Sequence, residues 1–179
     1  MTIRKIFKGP IFEVIQKDVE LDGQILSRDL VIHPGGAAIS VIDQGKILLV
    51  RQYRVGASQE MLEIPAGMID AGEKPEQAAL RELNEETGME ADSLDLLYAF
   101  YPTPGYDSEV IYIYKANHPR KASHRLAMDA DERIDVVWMD LKEAYSKTLT
   151  GEIRDAKTIL AIQNEILSSI SGQTLSQEK

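Results

Sequence analysis

The stretch GMIDAGEKPEQAALRELNEETGM, Gly67 to Met89, decides how this chain is read. Its periodicity is helical from about Pro75 to Thr87, with a proline suited to a first turn and Gly88 as a stop. Glu82 and Glu86 are four residues apart and share one face of that helix, which is expected to be exposed. Glu85 flanks the same face. Like charges at this spacing weaken a bare helix, so a cation is expected to offset them. An all-oxygen set of this kind suits a hard divalent ion, Mg2+ or Mn2+.

The rest of the chain sets the frame. Its 179 residues suffice for one domain with a core and a smaller appendage. A formal net charge of −9 argues against a general nucleic-acid binder, although metal ions can bring phosphates to an acidic protein. The chain has no cysteine, which excludes disulfides, thiolate metal sites and a cysteine nucleophile. No apolar run is long enough to cross a membrane, and no signal-peptide core follows Met1-Thr2-Ile3-Arg4, so a cytoplasmic protein is expected.

Upstream, two or three antiparallel strands are expected, roughly Ile11–Leu21 and Ile25–Ile32, around the turn Leu21-Asp22-Gly23-Gln24. So small a sheet should pack on the main body or on a second subunit. His33-Pro34-Gly35-Gly36 punctuates the boundary between a segment 1–36 and a body 37–179, and His33 reads as structural. Ala37–Ile42 and Lys46–Arg51 read as two strands joined by a tight turn, the second centrally buried through Ile47–Val50. Arg51-Gln52-Tyr53-Arg54 can stack on a base or hold phosphate oxygens, or can be a solvated strand end.

Downstream, strands are expected over Leu94–Tyr101, Val110–Ala116 and Ile134–Met139. The stiff loop Pro102–Glu109 suits a pocket wall. Asn117–Arg133 reads as irregular and ends in a second acidic cluster, Met128-Asp129-Ala130-Asp131-Glu132-Arg133. Helices over Leu141–Leu149 and Arg154–Ile170 close the chain, with Gly172–Lys179 as a frayed polar tail.

Gly67, Glu73, Arg81, Glu82, Leu83, Glu85, Glu86, Gly88 and Met89 resemble the Nudix box at every defined position. Arg51–Arg54, Leu62-Glu63-Ile64-Pro65-Ala66-Gly67 and Thr103-Pro104-Gly105, with Pro104 sixteen residues beyond Gly88, look like the ADP-ribose pyrophosphatase branch. The resemblance implies an α/β fold, an α/β/α sandwich on a mixed sheet, with a small N-terminal antiparallel β subdomain exchanged or packed across a homodimer. It implies hydrolysis of ADP-ribose to AMP and ribose 5-phosphate with Mg2+ or Mn2+. Glu82, Glu86 and the carbonyl of Ala66 would bind metal, with Glu85 a further ligand or partner. Arg81 would orient Glu85, and Glu73 would pair with Arg81 or an outer ion.

In the second acidic cluster the resemblance makes Glu132 a metal ligand but puts Ala130 where a general base is expected. That leaves Asp129, Asp131 or Glu85 to take the proton. For the substrate it implies contacts from Arg51, Arg54, Glu63, Pro104 and Glu109, the last to the terminal ribose. Phe12 or Ile11 could reach the base from the N-terminal strands, though Phe12 fits a core better. The alternatives are hydrolysis of another nucleoside diphosphate sugar or a dinucleotide, and a nucleotide-sensing module without turnover.

Overall fold

The computed structural model describes residues 2–128 and 133–177. In chain order the elements are β1 (Ile3–Lys8), β2 (Glu13–Leu21), β3 (Gln24–Ile32), β4 (Gly36–Ser40), β5 (Ile42–Asp43), β6 (Lys46–Arg54), β7 (Gln59–Glu63) and β8 (Ala66–Met68). There follow α1 (Pro75–Thr87), β9 (Met89–Glu90), β10 (Ser93–Phe100), β11 (Ile111–Asn117), β12 (Arg120–Lys121), β13 (Asp135–Asp140), α2 (Leu141–Thr150) and α3 (Ala156–Gln177).

Two sheets build the body. One runs β10-β11-β4-β8 and is mixed, because β11 and β4 are parallel while the outer pairs are antiparallel. The other runs β13-β6-β5, with β7 also paired to β6. Strand alternation sends neighbouring residues into two different cores. Ala38, Ile47, Leu49 and Ile113 pack with Ala144 of α2 and Ala161 and Ile162 of α3. Ala37, Ile39, Leu48 and Tyr114 pack with Ala78, Ala79 and Leu83 of α1. Burial on both faces is why Ile47–Val50 reads as an unbroken apolar run. The result is an α/β/α sandwich, with α1 on one face and α2 and α3 on the other.

Several boundaries differ from those expected. β4 and β6 do not form a hairpin with each other. The tight turn at Gln44-Gly45 joins only β5 to the start of β6, while β4 lies in the other sheet between β11 and β8. The N-terminal sheet has three strands, within the two or three expected; β1 lies before the expected bounds and is set off from β2 by a turn in which Gly9 N–H donates to Phe12 O at 3.0 Å. Residues 172–177, part of the stretch expected as a frayed tail, continue α3, with no proline to stop it. Asn117–Arg133 is not wholly irregular, since β12 pairs with β9.

The N-terminal sheet buries no residue of its own: β1 is exposed along its whole length, and Ile25 of β3 is 74% exposed. Phe12 is in no core; it is 39% exposed and lies 6.0 Å from the ring of Phe7. The sheet is fastened to the body through the loop after β10, where Val31 N–H donates to Tyr106 O at 2.7 Å and Ser108 N–H to Val31 O at 3.0 Å. The proline-rich loop thus ties the small sheet to the rim of the site. Among the described residues no helix is long and apolar enough to cross a membrane.

Candidate active site

Helix α1 begins at Pro75 and ends at Gly88, whose φ of 67° is the left-handed conformation that glycine adopts without strain. Its apolar residues anchor it beneath β4, and that fixes where its glutamates go. Glu82 and Glu86 are 8% and 1% exposed, so the acidic face is not a solvent face. Strand β8 runs alongside it. The Ala66 N–H donates to Glu86 Oε2 at 3.1 Å, and a Cβ added at Gly67 would overlap the Glu82 carboxylate. Glycine at position 67 permits this close approach, since a side chain there would require the Glu82 carboxylate or β8 to shift.

Arg81 is the hub of the cluster. Its Nε and Nη2 donate to the two oxygens of Glu73, each at 3.0 Å. Nη1 donates to Glu82 at 2.6 Å and to Glu85 at 3.0 Å, and Nη2 also reaches Met68 O at 3.0 Å. These bonds, that with Glu73 foremost, hold the guanidinium well above its ordinary pKa and draw the Glu73 carboxyl below its own. Among the described residues no three acidic or imidazole side chains are gathered as a ready ligand cage. The donor set does fit a hard divalent ion: every polar atom offered, carboxylates of Glu82, Glu85 and Glu86 and carbonyls of β8, is oxygen.

Arg81, Glu82 and Glu85 open onto a cleft of about 1090 Å3. Arg81, Glu82, Glu85 and Gly67 form one wall, Arg54 and Lys157 another, and His33 and Glu109 a third, while Pro10 and Ile11 reach in from the N-terminal sheet. His33 Nδ1 accepts the Gly35 N–H at 3.1 Å and stands 3.5 Å from a Glu109 oxygen. The histidine read as structural is therefore also part of the cleft wall.

Glu63 does not line the cleft. Its side chain is 3% exposed and is held by Arg54 in a two-pronged pair, at 2.6 and 2.8 Å, and by Lys157 at 2.5 Å. Burial alone pushes this carboxyl up, but the hydrogen bond from Arg54 and the charge and hydrogen bond of Lys157 outweigh it and bring it down to about 2. The sign of the pH effect follows. A depressed pKa stabilises the fold above the ordinary value of 4.5, and that contribution drains as pH falls through about 2. It is on the order of 3 kcal/mol. The gap in urea-unfolding free energy between wild type and Glu63→Gln is therefore expected to narrow from about pH 7 to about pH 3. An equal gap at both would contradict the assignment.

Arg51 lies on a separate, smaller pocket beside Tyr53 and Asp135. Pro104 and Phe12 do not line the main cleft, although Phe12's neighbour Ile11 does. Asp131 and Glu132, with Asp129 and Ala130, lie outside the described residues. The segment that leads to them is held to α1, because Asn84 donates to His124 O at 3.0 Å and accepts from Leu126 N–H at 2.7 Å. Lys157 was not singled out from the sequence. A signal was present: it stands in the first turn of α3, where a helix dipole disfavours a cation.

Residues 32–162 match the NUDIX domain family. The chain belongs to the Nudix family. Two relatives match it over 161 residues, covering 89% of this chain and 87% of each of theirs. The ADP-ribose pyrophosphatase of Bacillus subtilis (strain 168) is 39% identical, and the methanol dehydrogenase activator of Bacillus methanolicus is 38% identical. A crystal structure described as an ADP compounds hydrolase superposes with a TM-score of 0.80 at 26% identity, covering 94% of this chain and 93% of its own. The mixed α/β sandwich is thus the Nudix fold, and this Nudix hydrolase carries its box helix along the cleft wall.

Proposed function

We propose that this Nudix hydrolase cleaves the diphosphate of ADP-ribose to give AMP and ribose 5-phosphate. The observation that carries the reading is that Glu82 and Glu85 of α1 line the same cleft as Arg54 and Lys157, with Glu86 buried beside Glu82 on the same helix. Glu82, Glu86 and the Ala66 carbonyl would hold Mg2+ or Mn2+, with Glu85 beside them. When bound, the cation neutralises diphosphate oxygens and acidifies water. Glu132 is proposed as a further ligand on the resemblance alone, with Asp131 as a candidate base.

Within the described residues Glu85 would take the proton of the attacking water. It lines the cleft, and its bond to Arg81 fixes one carboxylate oxygen. Arg54 would meet a diphosphate oxygen, and Glu109 the terminal ribose. Water adds to one phosphorus as the bridging P–O bond breaks, and the bridging oxygen leaves with the other phosphate. The exposed apolar residues Ile3, Ile6, Phe7 and Ile25 support a homodimer through the N-terminal sheet, residues 1–36, in a cytoplasmic enzyme.

A second reading keeps the chemistry and changes the substrate to another nucleoside diphosphate compound. It is favoured by 33% identity over 146 residues to a relative named GDP-mannose pyrophosphatase in Yersinia pestis (strain Pestoides F). Incubation with Mg2+ and ADP-ribose, NADH, GDP-mannose or diadenosine polyphosphates separates the two. AMP release from ADP-ribose well ahead of the others supports the first, and a different preferred compound supports the second. Binding without cleavage of any would end both. Sedimentation of the same preparation should give a dimer, and a monomer would remove that part of the reading.

A further inference from the structure

Arg54 on β6, Glu63 on β7 and Lys157 on α3 meet beside the cleft, although Lys157 is 94 residues from Glu63. Both cations bond the same carboxylate oxygen: Arg54 Nη2 and Lys157 Nζ each donate to Glu63 Oε2. The Arg54 fork spends Nε and Nη2 on Glu63, so the donors of Nη1 are left out of that pair. Arg54 lines the cleft, and its side chain is 42% exposed. The direction in which it presents its free edge is set by Glu63, and Glu63 is set by Lys157.

The lysine is placed there against a local preference. It stands in the first turn of α3, which holds no acidic residue, where the helix dipole favours anions. Its charge is balanced by Glu63 and by Asp155, the latter at 2.9 Å. Fastening α3 to the end of β7 does not require it. Thr158 Oγ1 already accepts the buried Ile64 N–H at 2.8 Å, and its own hydroxyl donates to Asp155. A residue that offends its helix and duplicates an existing tie points to another role.

We propose that Lys157 is a positioning residue that holds Glu63 so that the Arg54 guanidinium is aimed at the anionic diphosphate in the cleft. This rests on the reading of the cleft as a diphosphate site. A fixed guanidinium binds ground state and transition state alike, so its loss should appear in KM rather than kcat.

The test uses the full-length chain as wild type, Lys157→Met, Lys157→Gln and Lys157→Arg, with Mg2+ present. KM and kcat are measured with ADP-ribose. Affinity for methylenediphosphonate, which cannot be hydrolysed, is measured by calorimetry, and melting temperature is recorded for each variant. Lys157→Met is expected to raise KM and weaken the diphosphonate about tenfold, the size of one charge-assisted hydrogen bond, while kcat changes by less than about threefold. Lys157→Gln should show the same trend more weakly, and serves if Lys157→Met does not fold. Lys157→Arg should restore most of both quantities.

A lowered melting temperature with wild-type KM and affinity would make Lys157 a fastening only and overturn the proposal. Wild-type protein with no affinity for the diphosphonate would also overturn it. Failure of the ADP-ribose reading looks different: wild type would bind the diphosphonate without turning over ADP-ribose, and the affinities of the variants would still decide the role of Lys157.

Discussion

Glu86→Gln is expected to lower kcat for diphosphate hydrolysis by more than about a hundredfold while leaving the protein folded. Residues that only support a metal ligand already cost about 10–100-fold when changed, and Glu86 is proposed as a ligand itself. The structural half of the expectation comes from its surroundings. Glu86 is 1% exposed, and the contact that ties it to β8 is a hydrogen bond accepted from the Ala66 N–H. The amide oxygen of glutamine can accept that same bond, so the tie survives. The substitution also removes a buried negative charge, whose cost of desolvation is set against its attraction to the Arg54 guanidinium. Stability without metal should therefore hold as activity falls, unlike the loss that a core defect would give. Urea unfolding and a Mg2+ titration of the melting temperature check it. The variant should match wild type in the absence of Mg2+ and lose the stabilisation that added Mg2+ gives. A rate near that of wild type would mean that the reaction is run from somewhere else.

That prediction depends on a fact the sequence did not carry. The helix Pro75–Thr87 is legible to the residue, because a proline that tolerates the first turn and a glycine that takes positive φ bracket a 3.6-residue period. Its acidic face reads as a solvent face for the same reason: periodicity says which residues share a side of a helix, not what lies over that side. What lies over it is β8, brought there by pairing with β4, a contact between segments far apart in the chain. Lys157 escapes for the same physical cause. Along α3 it is one more charge in a first turn, and only the fold brings Glu63 to it. Glu63 itself looks like a substrate contact when β7 is read alone, and becomes an internal anchor once Arg54 and Lys157 close on it. The N-terminal sheet is legible in kind but soft in its bounds. Its alternation is imperfect because no side chain of its strands is buried, so the pattern that marks a half-buried strand is weak there.

Gly67→Ala is the second change with a large expected effect, and its cause can be isolated. The glycine is not required by its backbone conformation, in contrast to Gly88 with its φ of 67°. It is required because the added Cβ would occupy the space of the Glu82 carboxylate. Either β8 moves away from β4, where Gly67 faces Ala37 across the ladder, or Glu82 swings off and gives up its 2.6 Å bond with Arg81. The first displaces the Ala66 carbonyl and the second the glutamate, both proposed as metal ligands, so hydrolysis should fall by about a hundredfold or more, the scale of a misplaced catalytic group. Forcing atoms into a filled site should cost roughly 1–3 kcal/mol of stability. If the collision is the reason, removing its partner should relieve it. In a Glu82→Ala background, Gly67→Ala should therefore cost much less, a non-additivity on the order of 1 kcal/mol or more in a double-mutant cycle. Equal stability losses in the two backgrounds would show that Gly67 serves the turn and not the carboxylate. A cycle that closes as expected would tie the identity of residue 67 to the position of a single side chain.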